Sequence, residues 1–166
     1  IKIYAQARLA YKINFGLTIR MWSFETTPIS NVMKNYNYDL YKDSLLTLAL
    51  ENKQKHLFVS FNKNGNYIIN KNTNVKEKDI IIDDIDFNCF NGEDLQGVYW
   101  GAEFLLSNAF LKKNLDLNVK NGEKFKINFI KNSYNENYFH CGGFVEVDVD
   151  DIFKNLVEVK VTFSKL

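Results

Sequence analysis

The segment 98–106 constrains the fold more than any other stretch of the chain. Two sets of residues alternate along it: Val98, Trp100, Ala102, Phe104 and Leu106 in one set, and Tyr99, Gly101, Glu103 and Leu105 in the other. Successive side chains of a β-strand point to opposite faces, so this pattern predicts a strand whose first set, Trp100 included, packs in a core. An aromatic-rich strand with one acidic residue favours a β-sandwich over a helical enzyme core.

Similar period-two patterns recur along the chain and are separated by turn signals. They predict strands over 13–22, 45–50, 57–61, 67–70, 80–82, 125–130, 145–149 and 157–163. Residues 107–114 are expected to form a short helix capped by Ser107 or Asn108, and residues 26–41 a long irregular loop. The sequence therefore predicts an all-β protein: one antiparallel β-sandwich over residues 1–166, immunoglobulin-like or jelly-roll-like, with one or two short helices. The predicted buried set is Trp100, Phe104, Leu46, Leu48, Val59, Phe61, Ile127, Phe129, Val159 and Val161.

Charge and hydropathy weigh against two classes of partner. The formal net charge is +1 and no long block of like charge occurs, which argues against a nucleic-acid-binding protein. No apolar run approaches the ~20 residues of a membrane span, so no span is expected. Cys89 and Cys141 could pair in a secreted protein, but two free thiols are the favoured interpretation.

The sequence carries few signals of catalysis. No nucleophile elbow, P-loop or dinucleotide fingerprint occurs, and His56 and His140 are the only imidazoles. His140 precedes Cys141, but neighbours on a strand point to opposite faces, which argues against a Cys–His pair. The best candidates for the two carboxylates of a glycosidase are Asp43 and Glu103, which leaves that enzyme class as a weaker third hypothesis.

Two acidic turns, Asp83-Asp84-x-Asp86 and Asp148-x-Asp150-Asp151, give a hint of a metal. Asp83, Asp84 and Asp86 follow a predicted strand, and Ca²⁺ takes oxygen ligands from such loops. A structural calcium ion is therefore a candidate, although acidic turns are usually only solvated. No other cofactor is expected.

Four ordered segments give the chain a resemblance to a known family. They are Tyr41-Lys42-Asp43-Ser44-Leu45, Phe61-Asn62-Lys63-Asn64-Gly65, Trp100-Gly101-Ala102-Glu103-Phe104 and Phe125-Lys126-Ile127-Asn128-Phe129-Ile130-Lys131. In this order and at this spacing they resemble the family 9 carbohydrate-binding modules, in particular their stand-alone, family 9-like branch. The resemblance implies a β-sandwich and a non-catalytic module that binds carbohydrate.

The resemblance also implies a site. A pyranose ring stacks its C–H face on an aromatic ring, and its hydroxyls bond polar side chains in a shallow, wet groove. The residues expected to do this here are Tyr41, Asp43, Asn62, Asn128, Lys131 and Tyr138. The chain departs from the family at Thr47 and Ser60, where acids are usual, so a structural or protein-interaction domain with a degenerate sugar site remains the alternative. A sugar-binding module would be extracellular or at the cell surface, and the alternative would be cytoplasmic.

Overall fold

Two antiparallel sheets form a β-sandwich. The computed structural model describes residues 3–72 and 76–163. One sheet, called sheet A, has the strand order β1-β2-β7-β6. Its strands are β1 (Tyr4–Lys12), β2 (Gly16–Phe24), β6 (Asn88–Asp94) and β7 (Gly97–Ser107).

The other sheet, called sheet B, carries the remaining strands in the order β10-β8-β3-β4-β5, and β9 also pairs with β8. Strand β8 lies beside β10 along its first half and beside β9 along its second half. The strands of this sheet are β3 (Leu45–Asn52), β4 (Lys55–Phe61), β5 (Tyr67–Asn70), β8 (Lys124–Ser133), β9 (His140–Gly143) and β10 (Val157–Lys160).

The core lies between the inner faces of the two sheets, where alternate residues of β2, β3, β4 and β7 meet. Trp100 is buried there, with its ring edge-on to Phe61 at 6.3 Å between centroids. Most of the predicted core is confirmed: Trp100, Phe104, Leu46, Leu48, Val59, Phe61 and Ile127 are buried. Phe129, Val159 and Val161 are only partly buried, because they pack at the margin of this cluster.

Helix α1 (Asn108–Leu115) follows β7 directly and confirms the predicted helix. The Ser107 hydroxyl caps it by accepting a hydrogen bond from the Phe110 amide at 3.1 Å. Two 3-10 helices, Tyr38–Lys42 and Glu77–Asp79, complete the helical segments that the described residues contain. The helix is too short to cross a membrane, and no helix in residues 3–72 and 76–163 is both long and apolar enough to do so.

Three strand predictions were wrong, and the reasons are physical. Strand β2 begins at Gly16, so Ile13 and Phe15 lie exposed in the β1–β2 turn. Ile80 makes only an isolated bridge to Asn70. Residues 145–149 alternate like a strand but cross the outside of sheet B as a loop, because β8 already has β9 and β10 on its free side.

The cysteines are unpaired in this fold. Cys89 is exposed on β6 of sheet A, and Cys141 is half-buried on β9 of sheet B. The preferred interpretation of two free thiols agrees with this placement.

Candidate functional site

A pocket of about 580 Å³ lies on the outer face of sheet B, the face that points away from sheet A. We call it the sheet-B pocket. Its floor is made by alternate residues of β3, β4 and β8, because every second side chain of these strands faces outward. Its walls are the 3-10 helix Tyr38–Lys42 with the start of the β8–β9 loop on one side, and the segment 145–156 on the other. The lining residues are Tyr41, Thr47, Phe58, Ser60, Ile130, Asn132, Tyr134, Val149, Asp150 and Ile152.

Three neutral polar side chains connect across the floor. Thr47 Oγ1 donates to Asn132 Oδ1 at 2.8 Å, and Ser60 Oγ lies 2.7 Å from Thr47 Oγ1. A hydroxyl has one proton to donate, so Ser60 is the donor to Thr47. The Asn132 amide group also faces the Tyr134 hydroxyl, so this chain leaves it at least one further N–H donor, and the Ser60 oxygen keeps an acceptor lone pair. The floor therefore offers both hydrogen-bond donors and acceptors without a formal charge.

One wall of the pocket is aromatic. The Tyr41 and Tyr134 rings are tilted against each other at 6.2 Å between centroids, and Tyr41 also packs edge-on to Phe58 at 6.4 Å. Burial raises the pKa of the Tyr41 hydroxyl well above its usual value and raises the pKa of Tyr134 to about 12, so both phenols stay neutral at physiological pH.

Two polar atoms beside this wall are unsatisfied. Tyr41 Oη and Asn70 Nδ2 are buried and form no well-aligned hydrogen bond with the described residues, although Asn70 lies near enough to the Tyr41 hydroxyl to oppose the rise of its pKa. Asn70 belongs to β5 and is paired in register with Phe58, a lining residue. Buried polar atoms normally find a partner, protein or otherwise, so this corner is suited to a ligand hydroxyl or a bound water.

The opposite wall is held in place by Asn128. Its amide group donates to Val145 O at 3.2 Å, and its Oδ1 accepts from Val145 N at 3.1 Å. The side chain thus imitates the backbone of a neighbouring strand and fastens the segment 145–156 across sheet B. Phe153 reinforces this contact by packing its ring, tilted, against His56, with 4.1 Å between the ring centroids.

Asp43 and Asn62 lie together, but beneath the long loop rather than in the sheet-B pocket. The Asp43 carboxylate is buried and accepts from the amides of Asn31 and Val32 at 3.0–3.1 Å. Asn62 Nδ2 donates to Asp43 Oδ2 at 3.0 Å. Their polar atoms are used to fix the loop, so the pocket is built without them.

Lys131 and Tyr138 lie in a second polar cluster, centred on the buried carboxylate of Glu25 and facing the sandwich interior. Trp100 Nε1 donates to Glu25 Oε1 at 2.9 Å, and Lys131 Nζ lies 3.4 Å from the same oxygen. Tyr138 and Ser44 donate to Oε2 at 2.7 and 3.0 Å. Lys131 is in register with Leu46, a core residue, so it projects from the face of β8 opposite to the pocket.

His140 completes this cluster. Its Nε2 lies 2.6 Å from Lys131 Nζ and its Nδ1 lies 2.9 Å from Tyr138 O. An ammonium can only donate and a carbonyl can only accept, so the imidazole is neutral with its proton on Nδ1.

Burial and neighbouring charge shift the pKa values of this cluster. Burial lowers the pKa of Lys131 to about 8, against the opposing effect of Glu25. Burial alone would raise the pKa of Glu25, but Lys131 and the three donors hold it below its usual value. Burial and the nearby ammonium lower the pKa of His140.

The structure therefore separates the six predicted site residues. Tyr41 lines the sheet-B pocket and Asn128 supports its far wall, whereas Asp43, Asn62, Lys131 and Tyr138 lie elsewhere. Tyr41 is the one lining residue that the sequence predicted as a site residue, and Asn132 and Tyr134 are among those that it missed. A signal for them existed: Ile130, Asn132 and Tyr134 follow one another at period two and so share a face of β8 and its extension.

The two carboxylates considered for a glycosidase do not face each other. Asp43 is buried at the start of sheet B, whereas Glu103 lies on the outer face of sheet A with Arg20 at 3.5 Å. A glycosidase needs its two acids across one cleft, so this pair has no shared site.

The acidic turn of the calcium hypothesis lies between the second 3-10 helix and β6. The Asp83 carbonyl oxygen accepts hydrogen bonds from the Tyr36 and Tyr67 hydroxyls, so both of its lone pairs are already used. Within residues 3–72 and 76–163, no three His, Cys, Asp or Glu side chains are grouped to hold a metal ion. Calcium binding at Asp83, Asp84 and Asp86 stays a prediction.

Comparison with solved structures gives several significant similarities. A candidate carbohydrate-binding protein from Bacteroides uniformis superposes with a TM-score of 0.62 at 15% identity, covering 87% of this chain and 70% of that one. A family 9 carbohydrate-binding module from Caldicellulosiruptor kristjanssonii, solved in complex with glucose, gives a TM-score of 0.60 at 12% identity, covering 100% and 81%. The same module in complex with cellotriose gives a TM-score of 0.60 at 12% identity, covering 99% and 78%.

The sequence alone gives no such match. No protein-family profile fits the chain, and the comparison with curated proteins finds no significant similarity. At 12–15% identity the structural likeness concerns the fold. The chain therefore has the fold of a family 9 carbohydrate-binding module, as the four ordered segments of the sequence predicted.

Proposed function

We propose that the protein binds a short, neutral carbohydrate in the sheet-B pocket and catalyses no reaction on it. The observation that carries the proposal is the pairing of an aromatic wall, Tyr41 and Tyr134, with an uncharged polar floor in one pocket. A sugar has an apolar C–H face and a rim of hydroxyls, and this pocket offers a partner to each.

The size of the pocket supports this proposal. Small-molecule sites usually measure about 300–1,000 Å³, and the sheet-B pocket, at about 580 Å³, has room for one or two pyranose rings. The two solved complexes with the same fold hold glucose and cellotriose, neutral sugars of one and three pyranose rings.

The floor gives the proposal its polar contacts. Besides the N–H that faces the Tyr134 hydroxyl, the Asn132 amide group has a second N–H donor, and the Ser60 oxygen has a free lone pair. Tyr41 Oη and Asn70 Nδ2 add a buried donor–acceptor pair whose groups lie near each other without a well-aligned hydrogen bond. A sugar hydroxyl both donates and accepts, so it can satisfy either group.

A non-catalytic role is supported by the acids of the pocket. Asp150 is the one carboxylate among its described lining residues, and it is exposed at the rim. Glycoside hydrolysis requires a second acid across the scissile bond, and neutral side chains occupy the rest of the lining.

Isothermal titration calorimetry with glucose, cellotriose and any further sugar that a glycan array identifies tests the proposal. Removing the Tyr41 ring removes stacking area, so Tyr41→Ala should weaken binding by ~1–2 kcal/mol, about tenfold or more. Tyr38→Ala is the matched control: Tyr38 lies in the same 3-10 helix but is exposed and outside the lining, so its loss should leave affinity unchanged.

Two results would decide against the proposal. Equal affinities of wild type and Tyr41→Ala for the same sugar would remove the aromatic wall from the site. A folded wild type that binds no sugar on the array would instead favour the alternative, a structural or protein-interaction domain.

A further inference from the structure

The outer face of sheet A, which points away from sheet B, carries aromatic rings where polar side chains are usual. An antiparallel sheet with one face in water normally alternates apolar residues inward with polar residues outward. Here five outward positions are aromatic: Tyr4, Trp22, Phe24, Phe90 and Tyr99. Tyr4 is 58% exposed and the other four are partly buried, so these rings reach solvent. We call this surface the aromatic face.

The rings form a row across all four strands of sheet A. Tyr99 on β7 contacts Phe24 on β2 edge-on at 5.9 Å and Phe90 on β6 at 6.3 Å between centroids. Tyr4 extends the row onto β1, because it is in register with Phe24. A Cβ at Gly92 would lie 2.6 Å from Tyr99 Oη, so this glycine lets the Tyr99 ring lie close against β6.

Two arginines lie beside this row. Arg8 on β1 is directly opposite Arg20 on β2, and each guanidinium carbon lies 5.6 Å from the centroid of the Trp22 ring. Like charges directly opposite on paired strands destabilise the pair. Arg20 is compensated by Glu103 at 3.5 Å, whereas Arg8 is exposed and forms no ion pair with a carboxylate in residues 3–72 and 76–163. An anion placed beside Trp22 would therefore relieve an existing repulsion.

The remaining charges of the outer face leave this place open to an anion. Lys12 lies at the end of β1 and adds a third cation to the β1–β2 half. The acids Glu103 and Asp94 lie on β7 and β6, and Asp94 accepts from the Gln96 amide at 2.7 Å. The β1–β2 half is thus positive.

The shape of the surface favours an extended ligand. Small-molecule sites are concave, whereas a row of rings across an open sheet suits a chain whose units have flat faces. Sugars and nucleobases both have such faces. A nucleic acid carries a charge on every unit and needs many cations, but Arg8 is the one unpaired arginine here and the net charge of the chain is +1. A chain with sparse charge fits these numbers better.

We infer that the aromatic face is a second binding surface, for an acidic oligosaccharide. Its sugar rings would stack along the aromatic row, and the carboxylate of a uronic acid unit would lie between Arg8 and Arg20. A guanidinium suits this role because it can form two parallel hydrogen bonds with a carboxylate. The inference does not depend on the sheet-B pocket, which belongs to the other sheet.

Two pairs of probes separate charge from sugar shape. They are xylotriose that bears one glucuronic acid against plain xylotriose, and trigalacturonate against its methyl ester. The two tryptophans of the chain report the result through their indole N–H signals in the ¹⁵N-labelled protein. An acidic probe should shift the Trp22 signal saturably, whereas its neutral counterpart should not. Trp100 is buried in the core, and its signal should stay in place with all four probes.

Three variants make the test specific. Arg8→Gln should weaken binding of the acidic probe about tenfold, as loss of a charge-assisted pair implies, and the fold should tolerate it because Arg8 is exposed. Lys55→Gln removes one exposed positive charge from sheet B and should leave this affinity unchanged. Tyr41→Ala disables the proposed sugar pocket, and the acidic probe should bind this variant like wild type.

The inference fails if neither acidic probe shifts the Trp22 signal saturably, if the neutral counterparts shift it equally, or if Arg8→Gln binds as tightly as wild type. Equal weakening by Lys55→Gln would indicate general attraction of an anion and would also overturn it. Tighter binding of an oligothymidylate at the same residues would assign the aromatic face to nucleic acid, and shifts that depend on protein concentration without sugar would assign it to a second copy. Loss of binding in Tyr41→Ala would place the acidic probe in the sheet-B pocket.

Discussion

At the residue scale, Lys131 and Glu25 hold opposite charges where both side chains are almost wholly buried. Such a pair adds little net stability, because the cost of removing two charges from water offsets their attraction. Each member nevertheless depends on the other, because removing one charge leaves the opposite charge buried without a partner.

Lys131→Met should therefore destabilise the protein by ~3–5 kcal/mol, because it leaves the Glu25 carboxylate buried without a cation. Adding Glu25→Gln to this variant should recover much of the loss, since the second change removes the unpaired charge. Lys126→Met, an exposed lysine of the same strand, should alter stability by no more than about 0.5 kcal/mol. Urea denaturation measures all three; a double variant less stable than Lys131→Met would contradict this account.

At the scale of elements, one side chain fixes a whole segment. Asn128 is fully buried and bonds the Val145 backbone in both directions, which is how the segment 145–156 becomes a wall of the sheet-B pocket. The wall has no regular secondary structure to hold it, so its position depends on this contact and on the packing of Ile152 and Phe153.

Asn128→Ala should loosen this segment while leaving the two sheets intact. The Val145 N–H and C=O would lose their partners at a cost of ~1–3 kcal/mol. Hydrogen exchange should become faster within 145–156, and sugar affinity should fall although Asn128 does not line the pocket. Lys126→Ala on the same strand is the control and should show neither effect. Unchanged exchange in 145–156 would mean that other contacts hold the wall.

The elements also show which features a sequence can predict. Strand β7 and the cap at Ser107 depend on local patterns and were predicted. Whether 145–149 becomes a strand depends on whether an edge is free elsewhere, and that is a long-range property. The interior position of Lys131 has a related cause, because pairing with β3 decides which face of β8 is buried.

The site residues show the same limit: a sequence predicts what local patterns decide, but not what long-range packing decides. Tyr41 could be predicted from a local motif, and it does line the pocket. Asn132 and Tyr134 could be identified only once the outer face of β8 was known to be the concave one. Glu25 gave no signal in the sequence, because a single acid at the start of a loop does not indicate burial.

At the scale of the whole molecule, stability should depend on pH through the Glu25 cluster. The pKa of His140 is lowered in the folded state, so the unfolded chain binds a proton first as pH falls below about 6.5. Stability from this group is therefore present above pH 6.5 and lost as pH falls towards its folded-state pKa. Glu25, whose pKa is also lowered, adds a further loss below about pH 4.5.

The melting temperature should therefore fall between pH 7 and pH 5, and His140→Gln should reduce that fall while keeping an acceptor for Lys131. His56→Gln removes the other imidazole of the sequence and should retain the wild-type pH dependence. Scanning calorimetry at several pH values measures both. An equal fall in wild type and His140→Gln would assign the pH dependence to other groups.

At alkaline pH, the pKa of Lys131 predicts the direction in which folding stability changes with pH. Its pKa of about 8 in the folded protein lies below the ordinary lysine value, so between these two values the unfolded chain holds the extra proton. This group alone makes stability rise with pH over that interval. The tyrosines reverse the trend above about pH 10, because burial raises the pKa of Tyr41, Tyr134 and Tyr138.

The central claim is that the sheet-B pocket binds a neutral sugar. Mapping where a bound sugar contacts the protein tests this claim most directly. Amide and side-chain chemical shifts of the labelled protein, recorded during titration with the tightest-binding neutral sugar, locate the ligand without any substitution. The account predicts that the largest changes fall on Thr47, Ser60, Asn132 and Tyr134, with smaller ones along 149–152. Changes centred on β1, β9 or the outer face of sheet A, with the pocket floor unperturbed, would contradict it.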